Sequence, residues 1–185
     1  MTRLRTIGIL LIGAAWLWSA APRQSALKEL RAMAKADQDC RMAGGSCAQE
    51  DEIRQRRVLT LLAEGKVNEP EAKECAALIL QHSGLTLCDG RYQAISLDNF
   101  QLAHLLAKAA AEKGRRSARW LAAASLDRYL VFSGKPQKYG TQTVFDPALQ
   151  RLVVPPVDPA TTDAERAEWG VEPLATFLKR QPPTP

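Results

Sequence analysis

The chain lacks most of the short motifs that identify a known catalytic chemistry. It contains no GxSxG, no HExxH and no glycine-rich phosphate-binding loop, and strands do not alternate with helices along it. These absences argue against serine-hydrolase elbows, zinc-protease helices and nucleotide-binding folds. It also has no run of Lys or Arg and no aromatic residues interleaved with basic ones, so nucleic acid is not expected as a partner. No motif requires a cofactor.

The amino terminus has the layout of a secretory signal peptide. Arg3 and Arg5 form a basic start, an apolar run follows over residues 7–21, and small residues precede Pro22. The run is short for a membrane span, and it does not end in a cysteine that could carry a lipid anchor. We predict cleavage after residue 21 and a periplasmic or secreted protein that contacts the membrane only through this peptide. An uncleaved N-terminal anchor is the alternative.

Potential metal ligands are scarce. The chain has two histidines and four cysteines, and no two cysteines form a CxxC pair, so a zinc site has little support. In an exported protein, four cysteines favour two disulfides. Pairing of sequence neighbours predicts one bridge between Cys40 and Cys47 and another between Cys75 and Cys88. Each would stabilise the fold by roughly 2–3 kcal/mol in the chain-entropy model.

Apolar residues at helical spacing recur along the rest of the chain. We predict five main helices, from Ser25 to the glycines at 44 and 45, and over residues 49–64, 71–83, 97–113 and 117–132. A small β-hairpin around Asp146-Pro147 and short helices follow near the C-terminus. The fold class is therefore mainly α, a compact bundle of about five helices in a single domain over residues 22–180. Residues 181–185 are expected to be a disordered tail.

Helical spacing also predicts where several polar side chains point. Arg54, Arg56 and Arg57 are expected on a solvated face of the second helix, although three arginines within four residues also suit an anion site. On the third helix His82 lies at the flank of the core face, whereas Gln81 points the opposite way. A histidine in that position can be packed and hydrogen-bonded, or it can project into a cleft.

The fifth helix carries a carboxylate in an unusual place. At 3.6 residues per turn, Asp127 projects among apolar side chains such as Trp120 and Val131. A buried carboxylate without partners would cost several kcal/mol, so Asp127 must be paired or hydrogen-bonded. Arg128 points about 100° away around the helix. The partners are therefore expected to be backbone N–H groups of the following turn, or Arg41.

Several short motifs together resemble a bacterial family, domain of unknown function 6624. Its signatures DQxxR, QH, DR and GxPQxYGTQ are matched, in this order, by Asp37-Gln38 with Arg41, by Gln81-His82, by Asp127-Arg128 and by residues 134–142. The similarity spans roughly residues 30–180, and GKPQKYGTQ is its most specific part. The family has no established activity, so the resemblance implies residue positions and no chemistry.

These positions support a first hypothesis, in which they form one polar cleft for a small polar or anionic ligand, with catalysis a further option. His82 would act as general base, and Asp127 would orient its ring. The ligand-binding side chains would be Asp37, Gln38, Arg41, Arg128, Gln137, Tyr139, Thr141 and Gln142. No metal-ligand set and no obvious nucleophile accompany them.

In the second hypothesis the same residues form a buried hydrogen-bond latch that fixes the turn over residues 134–142 on the helices. The protein would then be a non-enzymatic structural or envelope-interaction module, and the sequence does not identify its protein partner. The two hypotheses differ in geometry. A solvent-reaching pocket around His82, Asp127, Arg41 and Gln142 favours a site, whereas mutual saturation without a cavity favours a latch.

Overall fold

The computed structural model describes residues 20–44, 46–88 and 91–179. Its elements, in chain order, are α1 (Ala20–Met42), α2 (Ala48–Ala63), α3 (Pro70–Ser83), β1 (Leu85–Cys88), β2 (Arg91–Ala94), α4 (Leu97–Glu112), α5 (Ala118–Phe132), β3 (Val144–Asp146), β4 (Arg151–Val153), α6 (Asp163–Glu168) and α7 (Leu174–Lys179). The predicted mainly α fold with five main helices, a hairpin near the C-terminus and short helices is confirmed.

Both predicted terminal segments fall largely outside this description. Residues 1–19 of the proposed signal peptide and the tail over residues 181–185 lie outside the described residues. Within the described ranges, none of the helices combines the length and the apolar character needed to cross a membrane.

The ends of the helices follow from local sequence. The hydroxyl of Ser96 accepts a hydrogen bond from the backbone N–H of Asn99 at 3.3 Å and caps α4. Pro70 occupies the first turn of α3, where its missing N–H is not needed. Gly65, just after α2, has a φ of 65°, a conformation that side-chain-bearing residues rarely adopt. These residues end one helix or begin the next.

The helix α3 lies at the centre of the bundle and packs against α1, α2, α4 and α5. Much of the packing uses small side chains. The fully buried alanines include Ala76 and Ala77 on α3, Ala103 and Ala107 on α4, and Ala122 and Ala123 on α5. Alanine lets helix backbones approach closely, and the larger buried residues Leu30, Val58, Ile79 and Leu80 fill the remaining space.

Gly84 joins α3 to the first hairpin at a point of very close packing. A Cβ atom at this position would lie 2.5 Å from Cε1 of Phe100. Phe100 is fully buried, and its ring stacks on Phe132 with 5.7 Å between the ring centroids. The absence of a side chain at Gly84 therefore lets the chain between α3 and β1 pack directly against Phe100 of α4. The two strands β1 and β2 form an antiparallel hairpin in which Leu85 pairs with Ala94.

The first predicted disulfide is present and the second is not. Cys40, in α1, is bonded to Cys47, just before α2, with 6.2 Å between the Cα atoms. Cys75 is a free, half-buried cysteine, and burial raises the pKa of its thiol to about 11. The side chain of Cys88 lies outside the described ones. Cys75 lies about 12 Å along the helix axis before the end of α3, at 1.5 Å per residue, and β1 follows that end.

Candidate functional site

Asp127 is the centre of a buried hydrogen-bond network, called here the latch, formed by Asp127, Gln137, Tyr139 and Thr141. The Asp127 side chain is fully buried. Its Oδ1 accepts hydrogen bonds from the backbone N–H groups of Lys138 at 2.7 Å and Tyr139 at 2.8 Å. Its Oδ2 accepts from the backbone N–H of Thr141 at 2.9 Å and from the Thr141 hydroxyl at 2.8 Å. The following turn therefore supplies the hydrogen-bond donors that Asp127 needs. Of the two predicted sources, the turn and Arg41, it is the first.

Two opposing effects act on the Asp127 carboxyl group. Burial raises its pKa, the hydrogen bonds from Tyr139, Thr141 and Lys138 lower it, and the net shift is upward. An ionised carboxylate only accepts hydrogen bonds, and each Asp127 oxygen receives two. The geometry of the turn thus matches a carboxylate at position 127 and does not match an amide.

The remaining latch residues tie the turn to the chain that follows. Gln137 is fully buried; its Oε1 accepts from the Gln142 backbone N–H at 2.9 Å, and its Nε2 donates to the Pro155 carbonyl at 3.0 Å. Buried Arg166, on α6, donates to the carbonyl of Tyr139. These contacts fit the latch hypothesis for this group of residues.

His82 is held by a carboxylate from a different helix than predicted. Its Nδ1 lies 2.7 Å from Oδ2 of Asp37, which is fully buried in α1. Because the ionised carboxylate can only accept, Nδ1 carries the proton, and Nε2 is left with its lone pair. The Gln81 amide nitrogen lies 3.5 Å from Nε2. The prediction that Asp127 orients His82 is wrong, because the turn saturates Asp127 and Asp37 takes that role.

The protonation states of His82 and Asp37 depend on their burial and on the charges of their neighbours. Burial lowers the pKa of His82; the hydrogen bond and charge of Asp37 raise it, and the charges of Arg41 and Arg128 lower it again, so that the net shift is downward. Burial alone would raise the pKa of Asp37, but the hydrogen bond and charge of His82, with help from Arg41, lower it overall. At neutral pH the pair is a neutral imidazole beside an ionised carboxylate, the state required of a general base.

A second carboxylate and two arginines surround the pair. Arg41 binds both oxygens of Asp51, with Nη2–Oδ2 at 2.9 Å and Nη1–Oδ1 at 3.3 Å, and lies 3.2 Å from Oδ1 of Asp37. Arg54 donates to Oδ1 of Asp51 at 2.6 Å. It is buried, which corrects the prediction of a solvated face, whereas Arg56 is exposed. Asp51 and Arg54 are three residues apart on one helix, and this spacing could have predicted their ion pair from the sequence.

Arg128 and Gln142 connect the latch to Gln81, the residue before His82. Arg128 donates from Nε to Oε1 of Gln142 at 3.1 Å and from Nη1 to the Gln81 carbonyl at 2.8 Å. Gln142 donates from Nε2 to the Thr141 hydroxyl at 3.0 Å. The Gln81 side chain is buried, against the predicted outward direction, and its Oε1 accepts from the Ser125 hydroxyl at 3.3 Å. Because α3 is central and has neighbouring helices on several sides, the face of α3 that carries Gln81 is also covered by a neighbouring helix.

An open cleft of about 790 Å³ lies between the end of α1, the start of α2, the ends of α3 and α5, and the β3–β4 hairpin. Its polar wall consists of Arg41, Asp51, His82, Arg128 and Gln142. Its apolar wall consists of Leu85, Val131, Phe132, Val144, Phe145 and Leu152. The cleft thus brings together four of the predicted site residues.

The other predicted residues do not line the cleft, and among them Gln38 is exposed. Asp37 accepts the hydrogen bond from Nδ1 of His82, and Gln38 donates to Oδ2 of Asp37 at 2.8 Å. Asp127 and Gln137 do not line the cleft. In the part of the chain that is described, no three side chains of His, Cys, Asp or Glu converge as metal ligands would.

The comparisons with known proteins identify a family and no activity. A model of a family of unknown function, DUF6624, matches residues 41–181. No curated protein and no solved structure matches the chain. The matched range includes the cleft-lining residues, while Asp37 and Gln38 precede it.

We expect Asp127→Asn to lower the free energy of unfolding by about 2–5 kcal/mol, because the new NH₂ group would face two donors and leave them unsatisfied. Thr141→Val removes one of the four donors with little change of shape, and we expect it to cost about 1–2 kcal/mol. Urea unfolding measures both. An Asp127→Asn loss smaller than that of Thr141→Val would contradict the assignment of an ionised carboxylate.

A second prediction concerns the pH dependence of His82. Since folding lowers its pKa below the ordinary 6.5, the unfolded chain binds this proton more readily, and stability falls as the pH drops below 6.5. We expect Asp37→Asn to lower the pKa of His82 further, because the carboxylate charge that raises it is lost.

NMR titration of the ring signals measures this shift. The chain has two histidines, and His104, whose Nδ1 lies 2.8 Å from the Ala122 carbonyl, is the internal control. An unchanged or raised His82 pKa in Asp37→Asn would contradict the pairing.

Proposed function

Since the chain belongs to the family of unknown function DUF6624, we propose from the site itself that the protein binds a small organic anion in the cleft. In this proposal His82 acts as general base through Nε2. The observation that carries the proposal is the His82–Asp37 pair at the edge of the cleft. A neutral imidazole with its Nδ1–H committed to a carboxylate leaves Nε2 to accept a proton from a ligand or from a water molecule beside it.

Charge supports an anionic ligand. Arg41 and Arg128 line the cleft and bring two guanidinium groups to its surface, beside the carboxylate of Asp51. The arginines already bind carboxylate, carbonyl or amide groups, so their guanidinium planes are held in place before a ligand arrives. Guanidinium groups that are already held in place can bind an anion without the cost of ordering long side chains.

Size and rigidity give further support. A volume of about 790 Å³ is within the range of small-molecule sites. The latch holds Gln142 against Arg128, so that a polar group facing the cleft is fixed by contacts behind it. The latch residues themselves are assigned a structural role.

A thermal-shift screen of purified protein against carboxylates and phosphate esters tests this function. We expect at least one anion to raise the melting temperature of the wild-type protein and of His104→Gln, and to have no effect on His82→Gln. Circular dichroism and urea unfolding establish that His82→Gln is folded. A panel without any stabilising anion, or an anion that stabilises His82→Gln equally, would favour a non-enzymatic interaction module instead.

We also propose that the protein is exported and that residues 1–21 are removed. The Cys40–Cys47 bridge supports an oxidising compartment, where disulfides persist. It joins the turn of α1 that carries Arg41 to the start of α2, which carries Asp51, and so braces the polar wall of the cleft.

Mass spectrometry of the protein from fractionated cells tests export. We expect the soluble periplasmic or secreted fraction to contain residues 22–185 at a mass lower by two hydrogens than that of the reduced chain. Alkylation of denatured, unreduced protein should modify Cys75 and spare Cys40 and Cys47. A full-length chain in the membrane fraction would instead identify an uncleaved anchor.

A further inference from the structure

The Cys40–Cys47 disulfide, called here the bridge, closes the segment between α1 and α2, and this segment forms part of the cleft surface. The residues of the segment and its flanks that line the cleft are Arg41, Gly44, Ser46, Cys47, Ala48 and Asp51. Neither cysteine is part of a hydrophobic core cluster in the described ranges. The bridge therefore lies beside the cleft and outside the packed centre of the bundle.

The bridge spans a charged contact between α1 and α2. Arg41, the residue after the first cysteine, binds both oxygens of Asp51, which follows the second cysteine by about one helical turn. Arg41 also lies 3.2 Å from Oδ1 of Asp37, whose other oxygen holds Nδ1 of His82. The bridge thus fixes the two helix ends whose charges meet beside the histidine.

Other contacts hold α1 and α2 in the bundle without the bridge. Both helices pack against α3. Arg57 of α2 binds Glu29 of α1, with 2.8 Å between Nη2 and Oε2, about 16 Å along α1 from the bridge at 1.5 Å per residue. The segment inside the bridge contains consecutive glycines at 44 and 45, which give it conformational freedom. Opening the bridge should therefore loosen Arg41 and Asp51 and leave the bundle folded.

We infer that the bridge is a redox switch of the cleft. In the closed form it holds Arg41 against Asp37 and Asp51, and in the open form it releases the two helix ends. The inference rests on the proposed function for what the cleft binds, and it adds a condition under which the site is complete. Because disulfides persist only in oxidising surroundings, a chain in a reducing compartment would have an incomplete site.

A dithiol is the class of reductant that opens the bridge. One of its thiolates attacks a cysteine sulfur, which forms a mixed disulfide and releases the other cysteine as a thiolate that takes up a proton. The second thiolate of the reductant then attacks the mixed disulfide, so the reductant ends as a disulfide and both cysteines end as thiols. Two electrons and two protons pass to the bridge, and a disulfide reagent reverses the reaction.

NMR titration of the His82 ring, in the oxidised protein and after reduction with dithiothreitol, tests the inference without a ligand. We expect reduction to raise the pKa of His82, because the charge of Arg41 and the burial of the ring both lower it and both effects weaken. Asp37 and Arg128, whose charges also act on the ring, lie outside the segment that the bridge closes. Reoxidation should restore the original pKa.

Hydrogen exchange provides a second measurement at the start of α2. The backbone N–H of Asp51 donates to the Cys47 carbonyl at 2.8 Å in the first turn of this helix. We expect this amide to exchange faster in the reduced protein, since the bridge no longer holds the residue that begins the turn. Amides in the middle of α3 should keep their protection.

Variants separate the bridge from the other thiols. The double variant Cys40→Ser, Cys47→Ser should show the His82 pKa of the reduced protein and should not respond to dithiothreitol. Cys75→Ser is the matched control and should respond as the wild type does, because Cys75 is not part of the bridge. His104, on α4, should keep its pKa in every form. Circular dichroism and urea unfolding check that the variants are folded.

Each outcome decides a different statement. An unchanged His82 pKa after complete reduction would overturn the inference and identify the bridge as a structural cross-link only. A bridge that dithiothreitol opens only in denaturant, or an equal change at His104, would also overturn it. An anion that binds the oxidised and reduced proteins with equal affinity would overturn the switch and leave the proposed function standing. Failure of every anion to bind would overturn the proposed function, whereas a response of His82 to reduction would still support the switch.

Discussion

Four hydrogen-bond donors converge on the buried carboxylate of Asp127, and the geometry of the site depends on this constraint. A carboxylate in an apolar interior costs several kcal/mol unless it is fully hydrogen-bonded. The donors come from the turn after α5, so the chain must double back beside the helix that it has just left. Gly140 permits this with a φ of 77° in a space bounded by Leu174 and Val157. Once the turn is fixed, Gln142 has one position, against Arg128.

A second constraint acts on the other side of the cleft, where charges from three helices meet. Asp37 of α1, His82 of α3 and Asp51 of α2 alternate with arginines, so that each buried charge faces an opposite one or a hydrogen-bond donor. Opposite charges this close together offset part of the cost of burying each of them. The disulfide between Cys40 and Cys47 holds α1 and α2 together at this place. The network thereby orients the ring of His82, which lines the cleft.

The latch and the cleft are two parts of one arrangement, and they divide a single sequence motif between them. In GKPQKYGTQ, Gln137, Tyr139 and Thr141 serve the buried latch, whereas Gln142 reaches the cleft. The two functional hypotheses therefore concern different residues of the same segment. The latch accounts for the polar groups that are buried beside α5, whereas other polar side chains line the cleft.

The sequence by itself determined the helices, the burial of Asp127 and its need for hydrogen-bond donors, for which the next turn was one of two candidate sources. These properties depend on periodicity within one helix or on contacts between neighbouring segments. It also determined the Cys40–Cys47 pair, which closes a short loop. Only the tertiary structure decided that Asp37 pairs with His82, that Arg54 and Gln81 are buried, and that Cys75 stays free. The physical reason is that periodicity gives the direction of a side chain around its own helix axis, whereas its partner depends on which other helix lies in that direction. Around α3, which has neighbours on several sides, that direction alone does not distinguish a solvent face from a contact.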